Sequence, residues 1–316
     1  MRTSGKAARV FPPQVRRGDT VGIIAPGSPI SSELLEAGCK KLQSLGYRPF
    51  FFDTVLDQDH YFAGGHKQRA RELEQMFLRP EIRAIVCARG GYGCNHLLPD
   101  IDLDIIRKNP KMFVGYSDVT TLLTYFCDQA DVVMYHGPMV TKDYAEAPEG
   151  STPESLLLNN LVDGFEISGG EGQTQPRSGH AEGVLYGGCL SLLVASLGTP
   201  YEIRTENAIL FLEDINAKPY QIDRMMMQLK YAGMFKTVRG VIFGEMVGCV
   251  QPGGQDYTLQ QMVSRVLSEM DVPIAFGLPS GHISKPPNYC LPLGAEVSLE
   301  VSEEGFMLRS VNTASS

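Results

Sequence analysis

The sequence predicts an α/β protein in two parts: a doubly wound parallel-sheet domain, then a smaller β-rich domain. Three observations carry this expectation. Short apolar runs alternate with helix-period segments through the first half of the chain. The composition then turns rich in Glu, Gly, Ser, Thr and Pro from Thr141 to about Arg177. Near the end, Val297, Leu299 and Val301 alternate with polar residues ahead of a Glu303-Glu304-Gly305 turn, a hairpin pattern. The length of 316 residues suits two domains, divided here into residues 1–165 and 180–316 with a linker at about 141–180.

Met1–Arg17 carries Arg2, Lys6, Arg9, Arg16 and Arg17 but no acidic residue and no apolar signal-peptide core. It reads as a mobile arm leading into the first strand, and only secondarily as a transit peptide. Thr20–Ala25 is an apolar run expected as a buried parallel strand. The loop after it, Pro26-Gly27-Ser28-Pro29, has neither Walker nor GxGxxG spacing, so no nucleotide or other cofactor is assigned. Ser31 caps a helix with Leu35, Cys39 and Leu42 on one face, and Gly46 stops it. Arg48–Phe52 is a second strand, His66–Leu78 a helix ended by Pro80, and Ile82–Ala88 and Lys111–Val114 two further strands. Within the linker lies a short helical island near Leu156–Leu161.

The second part opens at Gly183–Ser191, followed by an apolar strand at Ala208–Leu212. Pro219 starts a helix whose Ile222, Met225, Met226 and Leu229 form a core stripe, closed by Gly233. Gly240–Val247 is another strand, and Leu259, Met262, Val263, Val266 and Met270 mark another amphipathic helix. With the terminal hairpin this suggests a small sandwich or barrel with helices.

A net charge of −8 argues against nucleic acid or anionic membrane as a partner, because both require clustered positive charge. No apolar run has the length of a membrane-spanning helix. Seven cysteines without a CxxC pair suit reduced, buried thiols and a cytoplasmic location. No HExxH, CxxC or other metal-ligand spacing is present, so no metal is expected.

The strand-to-helix junction Gly115-Tyr116-Ser117-Asp118 is the main candidate site. Such a turn lifts a serine to the sheet edge and places backbone N–H groups beside it. Taken alone, Ser117-Asp118 fits a helix N-cap better. Arg89-Gly90-Gly91-Tyr92-Gly93 also follows a strand; its glycines permit close approach to a ligand, and Arg89 suits a substrate carboxylate. A tight turn with a solvated arginine fits it equally. A serine nucleophile needs a base, and the histidines are His60, His66, His96, His136, His180 and His282. His282, in a loop after the apolar run Pro273–Leu278, is best placed to reach another domain's serine, while His136 is a credible site-lining residue. Glu213-Asp214, at a strand end, supplies an orienting acid or simply caps the next helix.

These residues resemble a known family, the LD-carboxypeptidases, which are serine peptidases. The likeness runs from about Phe11 to Leu308. Its strongest motifs are Ala88-Arg89-Gly90-Gly91-Tyr92-Gly93 and Gly115-Tyr116-Ser117-Asp118. Pro12-Pro13, Gly18-Asp19-Thr20-Val21, Ala25-Pro26, His136-Gly137-Pro138, Gly187-Gly188, Phe211-Leu212-Glu213-Asp214 and Gly281-His282 stand in family order. The resemblance implies a flavodoxin/Rossmann-like N-terminal domain and a triad of Ser117, Glu213 and His282. It implies Gly91 and Asp118 as backbone oxyanion donors. Arg89, Gly90, Tyr92 and His136 are the candidate substrate-binding residues. The implied reaction is metal-free hydrolysis of an amide between an L-centre and a C-terminal D-amino acid. The type substrate is the murein tetrapeptide, losing D-alanine during cytoplasmic cell-wall recycling, and members are often homodimers. The related microcin C self-immunity hydrolases, which cleave aminoacyl-nucleotides, often use tryptophan to stack the base; this chain has none. A non-catalytic muropeptide-binding protein is a third reading. Cys189 replaces an asparagine common among relatives, which leaves pocket shape there open.

Overall fold

A computed structural model describes residues 9–150, 156–158, 164–170, 177–251, 253–254 and 256–311. The first part runs β1 (Thr20–Ile24), α1 (Ser32–Ser44), β2 (Arg48–Phe50), α2 (His66–Leu78), β3 (Ile82–Cys87), α3 (Leu103–Lys108), β4 (Met112–Gly115), α4 (Thr120–Gln129) and β5 (Met134–His136). The second part holds β6 (Glu166–Gly169), β7 (Gly179–Cys189), α5 (Leu190–Ala195), β8 (Ala208–Glu213), α6 (Pro219–Tyr231), β9 (Gly240–Gly244), α7 (Leu259–Val266), β10 (Ile274–Leu278), β11 (Leu291–Leu293), β12 (Glu296–Val301) and β13 (Phe306–Ser310).

The first sheet has the order β11-β5-β4-β3-β1-β2. Every pairing is parallel except β11 with β5. The parallel strands follow the doubly wound order 2-1-3-4-5 expected from the alternating pattern. Alternate residues of the same strands feed two cores. Val21, Ile23, Ala84 and Val86 pack with Leu35, Cys39 and Leu42 of α1. Ile24, Ile85 and Phe113 pack with Leu73 and Phe77 of α2 and Leu122 and Phe126 of α4. Burial on both faces is the reason these strands read as continuous apolar runs. Ser31 caps α1 as expected, its Oγ accepting the Leu34 N–H at 3.2 Å.

The second sheet has the order β10-β9-β8-β7-β12-β13-β6. Strands β7 to β10 pair in parallel, whereas β7, β12, β13 and β6 pair antiparallel. Two packed sheets are therefore not what forms here. It is one mixed sheet, and a bridge between Arg177 and Ile274 brings the chain ahead of β7 back toward β10. The expected hairpin is present, with Val301 opposite Phe306.

Several segments depart from a simple reading. Arg9 and Val10 of the basic arm are held down: Arg9 Nε donates to the Cys127 carbonyl at 2.9 Å, and Val10 bridges Val132. Residues 1–8 and residues 159–161 of the helical island lie outside the described residues. The stretch expected as linker contributes a π-helical turn, Val140–Tyr144, and strand β6. β11, late in the sequence, pairs in the first sheet.

The two sheets meet through α4. Tyr186 on β7 donates its hydroxyl to Asp128 at 2.5 Å, and the Cys189 N–H donates to Thr120 Oγ1 at 3.2 Å. Close approach to α4 depends on Gly188, where a Cβ would stand 2.7 Å from Thr120 Cγ2, while Gly187 before it serves the pairing with β8. Gly187 has φ +132°, and a Cβ on it would overlap the Phe211 carbonyl oxygen. Gly187→Ala is expected to destabilise the protein by more than about 2 kcal/mol, adding backbone strain to a clash with a buried strand. Urea unfolding of the variant beside wild type measures this.

Candidate active site

Three strand ends converge. β4 runs into Tyr116 and then a 3-10 turn, Ser117–Val119, before α4 begins. Ser117 has φ +63°, a left-handed conformation unusual for a residue with a side chain. The turn holds it partly exposed while Asp118 and Val119 are buried. The glycine loop after β3 lies against it. A Cβ on Gly90 would come within 2.9 Å of Ser117 Cβ and 3.2 Å of the Asp118 nitrogen. Only glycine allows that contact, which puts the backbone of both segments side by side. Ser28, in the loop after β1, completes the bracket: its N–H donates to the Gly90 carbonyl, and its Oγ accepts the Tyr92 N–H, both at 3.0 Å. Asp118 does not cap α4. Its Oδ2 accepts the Cys94 N–H at 2.8 Å and fixes the far side of the glycine loop.

From the second sheet, Glu213 is the last residue of β8 and is fully buried. Its Oε2 accepts from His282 Nδ1 at 2.7 Å and from the His282 N–H at 3.2 Å. His282 follows β10 and retains partial exposure. Its ring meets Tyr116 edge-on, with centroids 5.1 Å apart and planes at 90°. This contact brings the histidine of one sheet against the residue that precedes Ser117 in the other. Glycines clear the space: a Cβ at Gly244 would press on Glu213 Cβ at 2.7 Å, and one at Gly281 on Glu213 Cδ at 2.8 Å.

Burial alone would raise the Glu213 carboxyl. The adjoining His136 imidazole and the hydrogen bonds and charge of His282 outweigh that and hold it at about 2. Burial likewise pulls His282 down, but the hydrogen bond and charge of Glu213, with lesser help from Asp214 and Asp143, leave it raised above 6.5. An ionised carboxylate behind an imidazole fixes Nδ1 as the N–H and leaves Nε2 as the basic nitrogen.

His136, expected to line the site, has no surface open to solvent. It is fully buried at the end of β5, with Nε2 3.7 Å from Glu213 Oε1 and Nδ1 3.1 Å from Ser280 Oγ. β11 pairs over it, Leu291 opposite His136, and the imidazole stands behind the carboxylate instead. Arg89 is exposed, and its Nη1 donates to the Pro29 carbonyl at 3.2 Å. Tyr92 is exposed on the outer side of the glycine loop, near Tyr61 and Phe62. Cys189 is buried, its Sγ 3.4 Å from Ser191 Oγ. Sequence reasoning missed Tyr116, Asp143, Ser280 and Asn288, all of which pack around the histidine loop. Tyr116 stands inside a quoted motif and Ser280 two residues before His282, whereas nothing local marks Asn288. Among the described residues no cluster of three His, Cys, Asp or Glu side chains could hold a metal ion.

Known proteins resemble this chain over most of its length. The LD-carboxypeptidase N-terminal domain matches residues 21–137, and the LD-carboxypeptidase C-terminal domain matches residues 182–299. The chain belongs to the LD-carboxypeptidase family. It is 35% identical over 305 residues to a probable murein peptide carboxypeptidase of Bacillus subtilis, covering 95% of this chain and 94% of that one. It is 29% identical to the murein tetrapeptide carboxypeptidase of Pseudomonas aeruginosa, over 89% and 92% of the two chains. The crystal structure of muramoyltetrapeptide carboxypeptidase from Oxalobacter formigenes matches with a TM-score of 0.81 at 26% identity, covering 94% of this chain and all of that one.

The buried ion pair makes stability pH-dependent in a defined direction. The folded Glu213 carboxyl sits below its ordinary 4.5, so its contribution is complete above pH 4.5 and lost as pH falls toward about 2. Denaturant unfolding of wild type and Glu213→Gln should give stability curves that converge as pH is lowered through that window. A constant gap would refute the assignment.

Proposed function

We propose that this protein is a serine carboxypeptidase that hydrolyses the amide between an L-centre and a C-terminal D-amino acid, releasing D-alanine from murein tetrapeptide. One observation carries the proposal: a carboxylate-bound imidazole, His282 on Glu213, packs against Tyr116 immediately before a serine in a left-handed turn. The names of the relatives support the substrate class.

In this reading Ser117 Oγ attacks the scissile carbonyl while His282 Nε2 takes its proton. Glu213 holds the resulting imidazolium through the Nδ1–H bond at 2.7 Å and does not itself take the proton. The N–H groups of Gly91 and Asp118 receive the developing oxyanion, since the glycine loop and the serine turn lie in contact. His282 then protonates the leaving amine of D-alanine, and water repeats the sequence on the acyl-enzyme. Arg89, Gly90 and Tyr92, along one rim, are the substrate-side residues. No step calls for a metal, so activity should persist in EDTA. All seven cysteines are free and buried, which supports a reducing, cytoplasmic setting; a homodimer is the assembly proposed.

Mass spectrometry of wild type and Ser117→Ala incubated with murein tetrapeptide tests the reading. Wild type should release one alanine, and the variant should lose at least about 1,000-fold in kcat while staying folded. Substantial turnover by Ser117→Ala would refute the nucleophile. The kcat/KM profile should fall on the acid side as His282 protonates, and this limb should lie above 6.5 because the folded imidazole is raised. A flat profile across that range would exclude His282 as the base.

A further inference from the structure

The hydrogen bonds that hold the histidine loop continue beyond Glu213. Asn288 is buried, and both ends of its side-chain amide are engaged. Oδ1 accepts the Gly281 N–H at 2.9 Å, while Nδ2 donates to the Gly281 carbonyl at 3.1 Å and to Asp143 Oδ1 at 2.8 Å. This pattern settles the amide orientation, because Nδ2 faces two acceptors and Oδ1 a donor. The amide pairs with Gly281 as a neighbouring strand residue would.

Gly281, at φ +86°, has no slack on its other side. A Cβ there would stand 2.7 Å from His136 Cε1 and 2.8 Å from Glu213 Cδ. The backbone one residue before His282 is thus clamped between Asn288 and the Glu213–His136 pair. Asp143 anchors the clamp from the first sheet's side. It lies in the π-helical turn Val140–Tyr144, and its Oδ2 accepts the Met139 N–H at 2.8 Å. Burial and then the Asp143 carboxylate push the Tyr116 phenol up. The half-buried Asp143 carboxylate therefore ties the turn after β5 to the amide that grips the residue before His282.

We propose that Asp143 and Asn288 are positioning residues that hold the His282 loop in register with the Ser117 turn. The proposal rests on the Ser117–Glu213–His282 reading above. Neither side chain reaches the reacting atoms in this account; they set where His282 Nε2 stands. A misplacement near 1 Å at a reacting group costs about 100-fold in rate.

The test is steady-state kinetics on murein tetrapeptide with Asn288→Ala and Asp143→Asn, beside wild type and Ser117→Ala. Folded fraction is read by circular dichroism. Asn288→Ala, which removes three hydrogen bonds, should lower kcat by about 100-fold with KM within about threefold. Asp143→Asn is nearly isosteric and keeps the fold in view if the first variant does not accumulate. It should lower kcat by about tenfold at unchanged KM, because an amide cannot accept from both Met139 and Asn288 without reorienting. Wild-type kcat in folded Asn288→Ala or Asp143→Asn would overturn the proposal. A loss that follows the unfolded fraction alone would overturn it too. If Ser117→Ala is inactive in those cases, the triad reading survives; an active Ser117→Ala would bring down that reading instead.

Discussion

The hydrogen bond between Glu213 and His282, 2.7 Å long and closed to solvent on the carboxylate side, sets conditions that much of the structure meets. A fully buried carboxylate is costly unless partners surround it. Here Oε2 takes two N–H groups of His282, and Oε1 faces the His136 imidazole at 3.7 Å. Gly244 and Gly281 lack the side chains that would occupy the same volume. Tyr116 then covers the other edge of the His282 ring. Each of these residues is explained by the need to hold one charge in one place.

That need also explains why the two sheets are joined so firmly. The serine turn belongs to β4 and the acid–imidazole pair to β8 and the loop after β10. In the proposed reaction a misplacement of about 1 Å between them would cost about 100-fold in rate. α4 provides one fastening, through Thr120 to Cys189 and Asp128 to Tyr186. β11 provides a second by crossing into the first sheet beside His136. The Asp143–Asn288 bond is a third and lies nearest the histidine. Chemistry assembled from two sheets requires more fastening than chemistry carried on one loop.

Much of the fold was legible because burial on two faces leaves a plain trace in sequence. The parallel strands β1, β3, β4, β8 and β9 are apolar runs, and α1, α2 and α6 carry stripes at helical spacing with caps where Ser31 and Pro219 stand. β6 and β11 were not legible: each is short and gains its strand character from pairing with a distant partner. The single mixed sheet of the second part was hidden for a related reason. A hairpin announces itself locally, but which strand lies beside β7 is decided by contacts across the chain.

The sequence by itself determined the chemistry available: a serine at a glycine-flanked strand end, a glycine-rich loop, and an acid and a histidine at later strand ends. Those are local properties of residue type and spacing. Only the tertiary structure decided which histidine meets the carboxylate from the exposed side. His136 and His282 both approach Glu213, one fully buried on β5 and the other partly open beside Tyr116. No spacing rule separates them, because exposure depends on what packs above each ring. Asn288 and Asp143 stand 145 positions apart in the chain, and only folding makes them neighbours.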